Sequence, residues 1–335
     1  MYLNWAHHYI PKIGGVFSII INLLFIFIAH DDKHVHFGNY RFLLIFFGIY
    51  NLLCTVVDLI VPTCVIDYNY AFSYYVVDGY FEKTSPYAPF VLCLRSSIIS
   101  AGYGVLHAHF VYRYLVLFNQ QLLNTYFLPY GLLLSVAHCF LLTSAWTFSA
   151  YLLLVPEPER RFYMAQVISE VLSQNVHEMN ILIAVYEDLS PKVTWNSRLG
   201  VFLVSIISIL SVLIYILFSI LIVSKLRSTD LALSQKTKRL QKQLAKSLAV
   251  QATIPLIVDL FPCFFVWYMP IFKVNIGYWT YWFASIFISF FPVFDPLAMF
   301  YFLPVFRVRL RQILRMKERP ARVSAMTHTD ISRFF

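Results

Sequence analysis

VFLVSIISILSVLIYILFSILIV (201–223) is the stretch that decides the fold. It carries no charge, and its apolar residues fall on every side of a helix. A helix that is hydrophobic all round is buried in protein or in lipid. About 20 such residues span the ~30 Å hydrocarbon core of a bilayer. A transmembrane β-barrel would alternate apolar and polar residues in segments of about ten. This stretch therefore reads as a lipid-embedded helix.

Working outward from it, seven such runs occupy most of the 335 residues, at about 10–29, 42–66, 89–117, 126–154, 199–224, 247–272 and 278–303. The chain is 59% hydrophobic and only 13% charged, against about 25% charged in a soluble domain, so one soluble core cannot account for it. The expected fold is an all-α integral membrane protein, a bundle of seven transmembrane helices over residues 1–305. Residues 306–335 form a basic amphipathic helix and tail. There Phe306, Leu310, Ile313 and Leu314 share a face and Arg307, Arg309, Arg311 and Arg315 are interleaved. Such a helix lies on an anionic inner leaflet. In the connection between the fourth and fifth runs, Met164, Val167, Ile168, Val171 and Leu172 predict a second amphipathic helix, which either covers the mouth of the bundle or packs as an ordinary loop helix.

Charge sets the orientation. The net charge is +9. With the N-terminus outside, 18 of the 26 Lys and Arg fall on cytoplasmic segments, giving +13 there, −1 outside and −3 from the Asp residues within spans. The positive-inside rule then predicts N-out, C-in. The start MYLNWAHHYIPK lacks a basic leader and a small-residue cleavage site, so the first span is expected to stay as an anchor. No Asn-x-Ser/Thr acceptor occurs.

Charges inside a span cost at least ~2.5–3.5 kcal/mol and normally face the bundle interior. Asp58 and Asp259 lie in the outer halves of the second and sixth spans, and Asp295 lies roughly 12 Å above the inner end of the seventh. Asp58 and Asp259, with Arg95 and His107 on the third span, are the candidate ligand-pocket residues. Two readings stand for Arg95: it snorkels outward to the headgroups, or it touches a ligand. Asp295-Pro296, with Pro292 close by, forms a polar, kinkable point. It reads as a conformational switch or as a static kink. Pro255, Pro262 and Pro270 kink the sixth span, and Pro262 is the expected hinge. The run 231–251 has no Gly or Pro and reads as a helix capped at Thr229 or Asp230.

Four motifs carry a family resemblance: NWAHHYIPKIGG (4–15), HAHFVYRYL (107–115), KTKRLQKQLAKSLAVQATIPLI (236–257) and FPVFDPLAMFYFLPVFR (291–307). Together they resemble the nematode serpentine chemoreceptors of the class r superfamily, and the first block is similar to its class j branch. The resemblance implies a G-protein-coupled receptor in the plasma membrane of ciliated sensory neurons. It implies a small-molecule ligand, a heterotrimeric G protein and membrane lipids as partners, and no cofactor. It places Arg113 and Tyr114, with Lys238, Arg239, Lys242 and Lys246, at the G-protein contact. Three departures stand out. Tyr112 precedes Arg113 where related receptors carry an acid; Lys242 and Lys246 stand where an acid would complete the restraint; and Met299 occupies the Tyr position of the Asp-Pro-x-x-Tyr element. Related receptors also tie Cys93's position to the second outer loop. Residues 155–197 contain no cysteine, which leaves Cys64 as the partner the resemblance admits.

Other classes fit less well. Clustered HxxHH boxes of membrane di-iron enzymes are missing; His30, His34 and His36 are the nearest approach, and His107 and His109 point to different faces. No Gly-rich phosphate loop, no Gly-x-Ser-x-Gly element, no metal set and no nucleic-acid motif occurs. A seven-span cation channel would be N-in, and a transporter would show internal symmetry.

Overall fold

The computed structural model describes residues 5–30, 38–227, 235–274 and 278–314. Its helices are α1 (Trp5–His30), α2 (Tyr40–Ile60), α3 (Ala88–Phe118), α4 (Gln120–Tyr126), α5 (Leu132–Leu154), α6 (Pro158–Leu172), α7 (Pro191–Arg227), α8 (Gln235–Pro255), α9 (Phe261–Tyr268), α10 (Tyr278–Phe302) and α11 (Pro304–Ile313). The strands are β1 (Thr63–Tyr68), β2 (Ala71–Val76) and β3 (Ile181–Val185).

Among the described residues, six helical stretches are long and apolar enough to cross a membrane: Tyr9–His30, Tyr40–Ile60, Ala88–Phe118, Gln120–Leu154, Pro191–Arg227 and Lys242–Phe272. A seventh is made by Ile288–Phe302 taken with the helix into which it bends by 100°. Phe17, Ile20, Leu134, Phe140, Leu210 and Ile220 stand exposed on the outside of these helices. Water would penalise that surface; hydrocarbon does not, and helices satisfy their own backbone groups there. The chain is thus a multi-pass membrane protein.

Two spans are broken. α4 meets α5 at a kink over Phe127–Gly131, where Leu128 is non-helical (φ −110°, ψ 126°) before Pro129. α8 runs through a π-turn, Leu256–Leu260, into α9, directly before Pro262. π-turns inside α-helices are frequent at functional sites. Elsewhere the spans pack closely through small residues. A Cβ on Gly104 would stand 2.9 Å from the Cα of Cys139, so α3 and α5 cross backbone to backbone only because glycine is there.

The strands depart from an all-helical reading. The second run was expected to continue to residue 66, but α2 stops at Ile60. Val61 leaves the helical region (φ −126°, ψ 68°) ahead of Pro62, as residues before proline do. TCVIDY and AFSYYV then form an antiparallel hairpin, with Asn69 at φ 48° in its turn. β3 adds to β2, giving the order β1-β2-β3. Alternation along each strand sorts two faces. Val65, Phe72, Val76, Leu182 and Ala184 face Leu92, Ala150, Leu154, Val201 and Val266 of the bundle. Cys64, Ile66, Ala71, Tyr75, Ile181, Ile183 and Val185 face Met164, Val167 and Ile168 of α6. The sheet is therefore a layer between the bundle and the amphipathic helix that the sequence predicts.

Arg160 pins that layer. It is 1% exposed, and its guanidinium donates to the carbonyls of Leu153 (2.7 Å), Ile183 (3.1 Å) and Val193 (3.1 Å), joining the ends of α5, β3 and α7. Burial pulls its pKa below the ordinary arginine value, with Glu157 acting the other way. Arg161 donates to the carbonyls of Val176 and Met179, and the Ser197 hydroxyl accepts from the Val185 amide at 3.0 Å.

Candidate functional site

Beneath the sheet lies a cavity with about 890 Å³ of atom-free space, counted to its open mouth. Val65, Phe72, Tyr74 and Leu182 roof it; Trp146, Leu154, Val201, Val204, Val266 and Trp267 wall it. Its polar groups are those of Asp58, Thr63, Tyr74, Arg95, Ser96 and Cys263. The mostly apolar lining with a few polar groups is of the kind found in small-molecule sites.

Asp58 and Arg95 are an ion pair on this wall, with Arg95 donating to the Asp58 carboxylate. Arg95 is only 6% exposed. Of the two sequence readings, snorkelling is excluded: the side chain turns inward to its partner Asp58. The signal was available, since two opposite charges stand singly in the outer halves of consecutive spans. Insertion cost alone would bring them together. Burial pushes the Tyr74 phenol above its ordinary pKa, while the nearby Arg95 charge acts the other way.

Two smaller voids adjoin. One, about 340 Å³, runs past Cys54 and Ile98 to Phe291 and Pro292. The other, about 300 Å³, lies toward Pro11, Pro62 and Val77. Asp58 lines all three. At the lower void's end the Asn22 amide donates to the Pro292 carbonyl (2.8 Å), and Ser18 is hydrogen-bonded to Thr55 (2.5 Å). Asp295, one turn further, is fully buried on α10, beside the buried Pro296.

The roof is tied to the sixth span. The Tyr186 phenol donates to the Trp267 carbonyl at 2.6 Å, and burial raises its pKa well above the usual value. Tyr268 donates to Ser205 of α7 (2.8 Å), and Trp146 to Ser96 (3.2 Å). Trp267 also packs on Trp146, with centroids 5.8 Å apart. A group in the cavity thus touches α9 just above its π-turn.

At the opposite end Arg113 is 3% exposed. Its guanidinium carbon sits 3.8 Å from the ring centroid of Tyr40, at the start of α2. Tyr40 is in turn held by His109 Nδ1 (3.0 Å from its hydroxyl) and by the Tyr112 ring, 4.9 Å away. An aromatic clasp thus occupies the place where an acid–arginine restraint was expected to be missing. Tyr40 escaped the sequence reading because an aromatic at a helix start carries no signal of what it meets across the bundle. Tyr114 stacks on Phe118 (4.3 Å) and edges Phe218 (5.5 Å), so it packs on α7. Lys242 and Lys246 are exposed on α8, one face away from the buried Leu244 and Leu248. The Ser247 hydroxyl meets the Met299 sulfur at 3.3 Å, so the methionine that departs from the Tyr pattern joins α8 to α10.

The remaining expected residues separate. His107 does not reach the cavity; it bonds His138 (3.0 Å) and faces the Ser211 carbonyl (3.3 Å) between α3, α5 and α7. Cys64 and Cys93 are not joined. They lie on opposite faces of the sheet, Cys64 toward α6 and Cys93 toward the bundle, so the expected pairing is corrected by the strand's alternation. The side chains of Lys238, Arg239 and Asp259, the cap at Thr229 or Asp230, His34, His36 and the tail after residue 314 lie outside the described residues. Among the described residues no His, Cys, Asp and Glu group could hold a metal.

Comparison with known proteins agrees with this architecture. Residues 1–310 match the family profile described as serpentine type 7TM GPCR chemoreceptor Srj. The chain is 30% identical to serpentine receptor class J-38 of Caenorhabditis elegans, over 92% of this chain and 93% of that protein. It is 25% identical to the G-protein coupled receptor str-33 of the same nematode (91% and 89% covered). It is 24% identical to serpentine receptor class r-10 of Caenorhabditis briggsae (88% and 86%).

Proposed function

This chain belongs to the Srj family of serpentine seven-transmembrane chemoreceptors, and we propose that it binds a small extracellular ligand in the cavity beneath the sheet and activates a heterotrimeric G protein from the Arg113 end. The observation that carries the proposal is the cavity itself: an apolar chamber at one end of the bundle, with a buried ion pair on its wall and adjoining a void that reaches Pro292 of α10.

In this reading the sheet end faces outside and the Arg113 end faces the cytosol of a sensory neuron. The asymmetry of Lys and Arg supports that orientation. The ligand bears on Cys263, Val266 and Trp267 of α9. The π-turn below them and Pro262 form the hinge, so α8 swings out with Lys242 and Lys246. A ligand moves this equilibrium only by binding the open conformer more tightly than the closed one. Asp58 passes the same bias through the lower void to Pro292 and the Asp295-Pro296 switch. In the closed conformer Tyr40 clasps Arg113; in the open one Arg113 is released to the G protein. The chain does no chemistry of its own; nucleotide exchange occurs on the partner.

The test is a compound screen on cells expressing the chain, read by a G-protein activation sensor. A hit whose signal disappears in Arg113→Ala, at equal surface expression, is the expected result. Unchanged signalling by that variant refutes the role of Arg113.

A further inference from the structure

We infer that the cavity takes a lipophilic ligand already dissolved in the bilayer, admitted between α7 and α9 from the leaflet on the sheet side and not from water through the roof. The inference rests on the cavity being the ligand site, as proposed above, and adds the class of ligand and its route.

The roof is closed to water. β3 is buried along its whole length, and β2 at every residue except Tyr74, which lines the cavity below. Hydrogen-bonded strands stand about 4.8 Å apart, which leaves no passage between them. α6 covers their far side. The rim is fastened as well. Arg198 of α7 donates to the Tyr186 carbonyl (2.8 Å), and the Tyr186 phenol donates to the Trp267 carbonyl (2.6 Å). The end of β3 is thus tied to both helices. Lys273 sits 5.1 Å from the ring centroid of Tyr70, in the hairpin turn.

Below that rim the wall has one loosely packed seam. Around the cavity α2 packs along α3, α3 along α5, α5 along α7, and α9 along α10. α7 and α9 do not pack in this way. Yet Val201 and Val204 on one, and Cys263, Val266 and Trp267 on the other, line the cavity together. Side chains fill the seam. Tyr268, stacked on Phe264 with centroids 5.4 Å apart, reaches across and donates to Ser205 at 2.8 Å. Further down, α7 closes on α8. Phe202 of α7 and Phe261 and Phe265 of α9 stand exposed, so these helices turn apolar surface to the hydrocarbon. A half-buried side chain changes rotamer without disturbing the fold, whereas a sheet held under a helix parts only by local unfolding. Tyr268 is therefore the latch, and a solute that passes it arrives from lipid. Hydrocarbon excludes ions and strongly polar solutes, and this sets the ligand class.

Cys263 reports on the route, because it lines the cavity while the other four cysteines are buried. The purified full chain in lipid nanodiscs is treated with two methanethiosulfonates. The octyl reagent dissolves in the bilayer; the trimethylammonium-ethyl reagent stays in water. Each rate at Cys263, read by mass spectrometry, is divided by that reagent's rate with a free thiol, and Cys263→Ser assigns the signal. The octyl reagent is expected to react at least about tenfold faster, since each methylene adds to its concentration in lipid. The seam variants then separate passage through the seam from simple contact with lipid. Tyr268→Ala is expected to raise the octyl rate about threefold or more, and Ser205→Phe, which fills the seam, to lower it by a similar factor. Tyr268→Phe removes only the hydroxyl; should Tyr268→Ala fail to fold, it is expected to raise the rate about twofold. An octyl rate indifferent to these variants, or no reaction with either reagent, overturns the inference. So does equal or faster reaction of the charged reagent, which would place entry in the void toward Pro11 and Val77. Labelling that depends on the seam, with no G-protein signal from any lipophile, would sink the receptor reading alone. A charged, water-soluble agonist acting through Arg113 would sink the ligand class alone.

Discussion

Tyr40 and Arg113 show what a single contact does in this bundle. A guanidinium over an aromatic face is worth ~0.5–2 kcal/mol, more when desolvated, and this one is buried at 3.8 Å. Removing the ring takes that stabilisation from the conformer that buries Arg113. Tyr40→Ala is therefore expected to raise basal G-protein activation on the order of two- to tenfold. Tyr40→Phe keeps the ring while losing the His109 contact, and should rise less. Basal output measured in cells at matched surface density checks both; equal output in all three would remove the clasp from the account. Arg113 is singled out by its motif as the proposed G-protein contact. Its partner is not, because helical spacing reports neighbours on one helix and says nothing of a ring arriving from another. The Asp58–Arg95 pair lies between these cases: both charges were legible as costly, and only their meeting was not.

The elements divide in the same way. Long apolar runs are legible because length alone identifies them, and α6 was legible from its 3.6-residue period. The strands were not. Residues 63–66 merge with the apolar run of α2, and ILIAV at 181–185 is too short for periodicity to tell strand from helix. β3 pairs with β2 across more than a hundred positions, and that pairing is set by what lies above and below the sheet. The layer they form depends on Arg160. Arg160→Met leaves three carbonyls without their donor, at about 1 kcal/mol or more each. The expected result is a fall in melting temperature of roughly 5–10 °C in detergent-purified protein, at about 2–4 °C per kcal/mol for chains of 150–250 residues. Arg160→Lys, with one point of contact, should recover part of the loss. A melting temperature unchanged in Arg160→Met would mean the layer is held by the apolar faces alone.

At the scale of the whole molecule, composition established a membrane bundle and the distribution of charge proposed its orientation. What composition could not provide is the division of labour between the two ends. One end is closed by a sheet and holds an apolar-lined chamber with the Asp58–Arg95 pair on its wall; the other holds an arginine under a tyrosine and exposed lysines on α8. Between them run a π-turn in the sixth span and a void that reaches Pro292. The central claim is that the Arg113 end drives a G protein. Its most direct test is nucleotide exchange on purified heterotrimeric G protein added outside sealed vesicles, sorted by which terminus of Tyr40→Ala receptor faces out. The account predicts exchange from vesicles with the C-terminus outward, lost when Arg113→Ala is added. Exchange that persists without Arg113, or that comes from the N-terminal face, would contradict it.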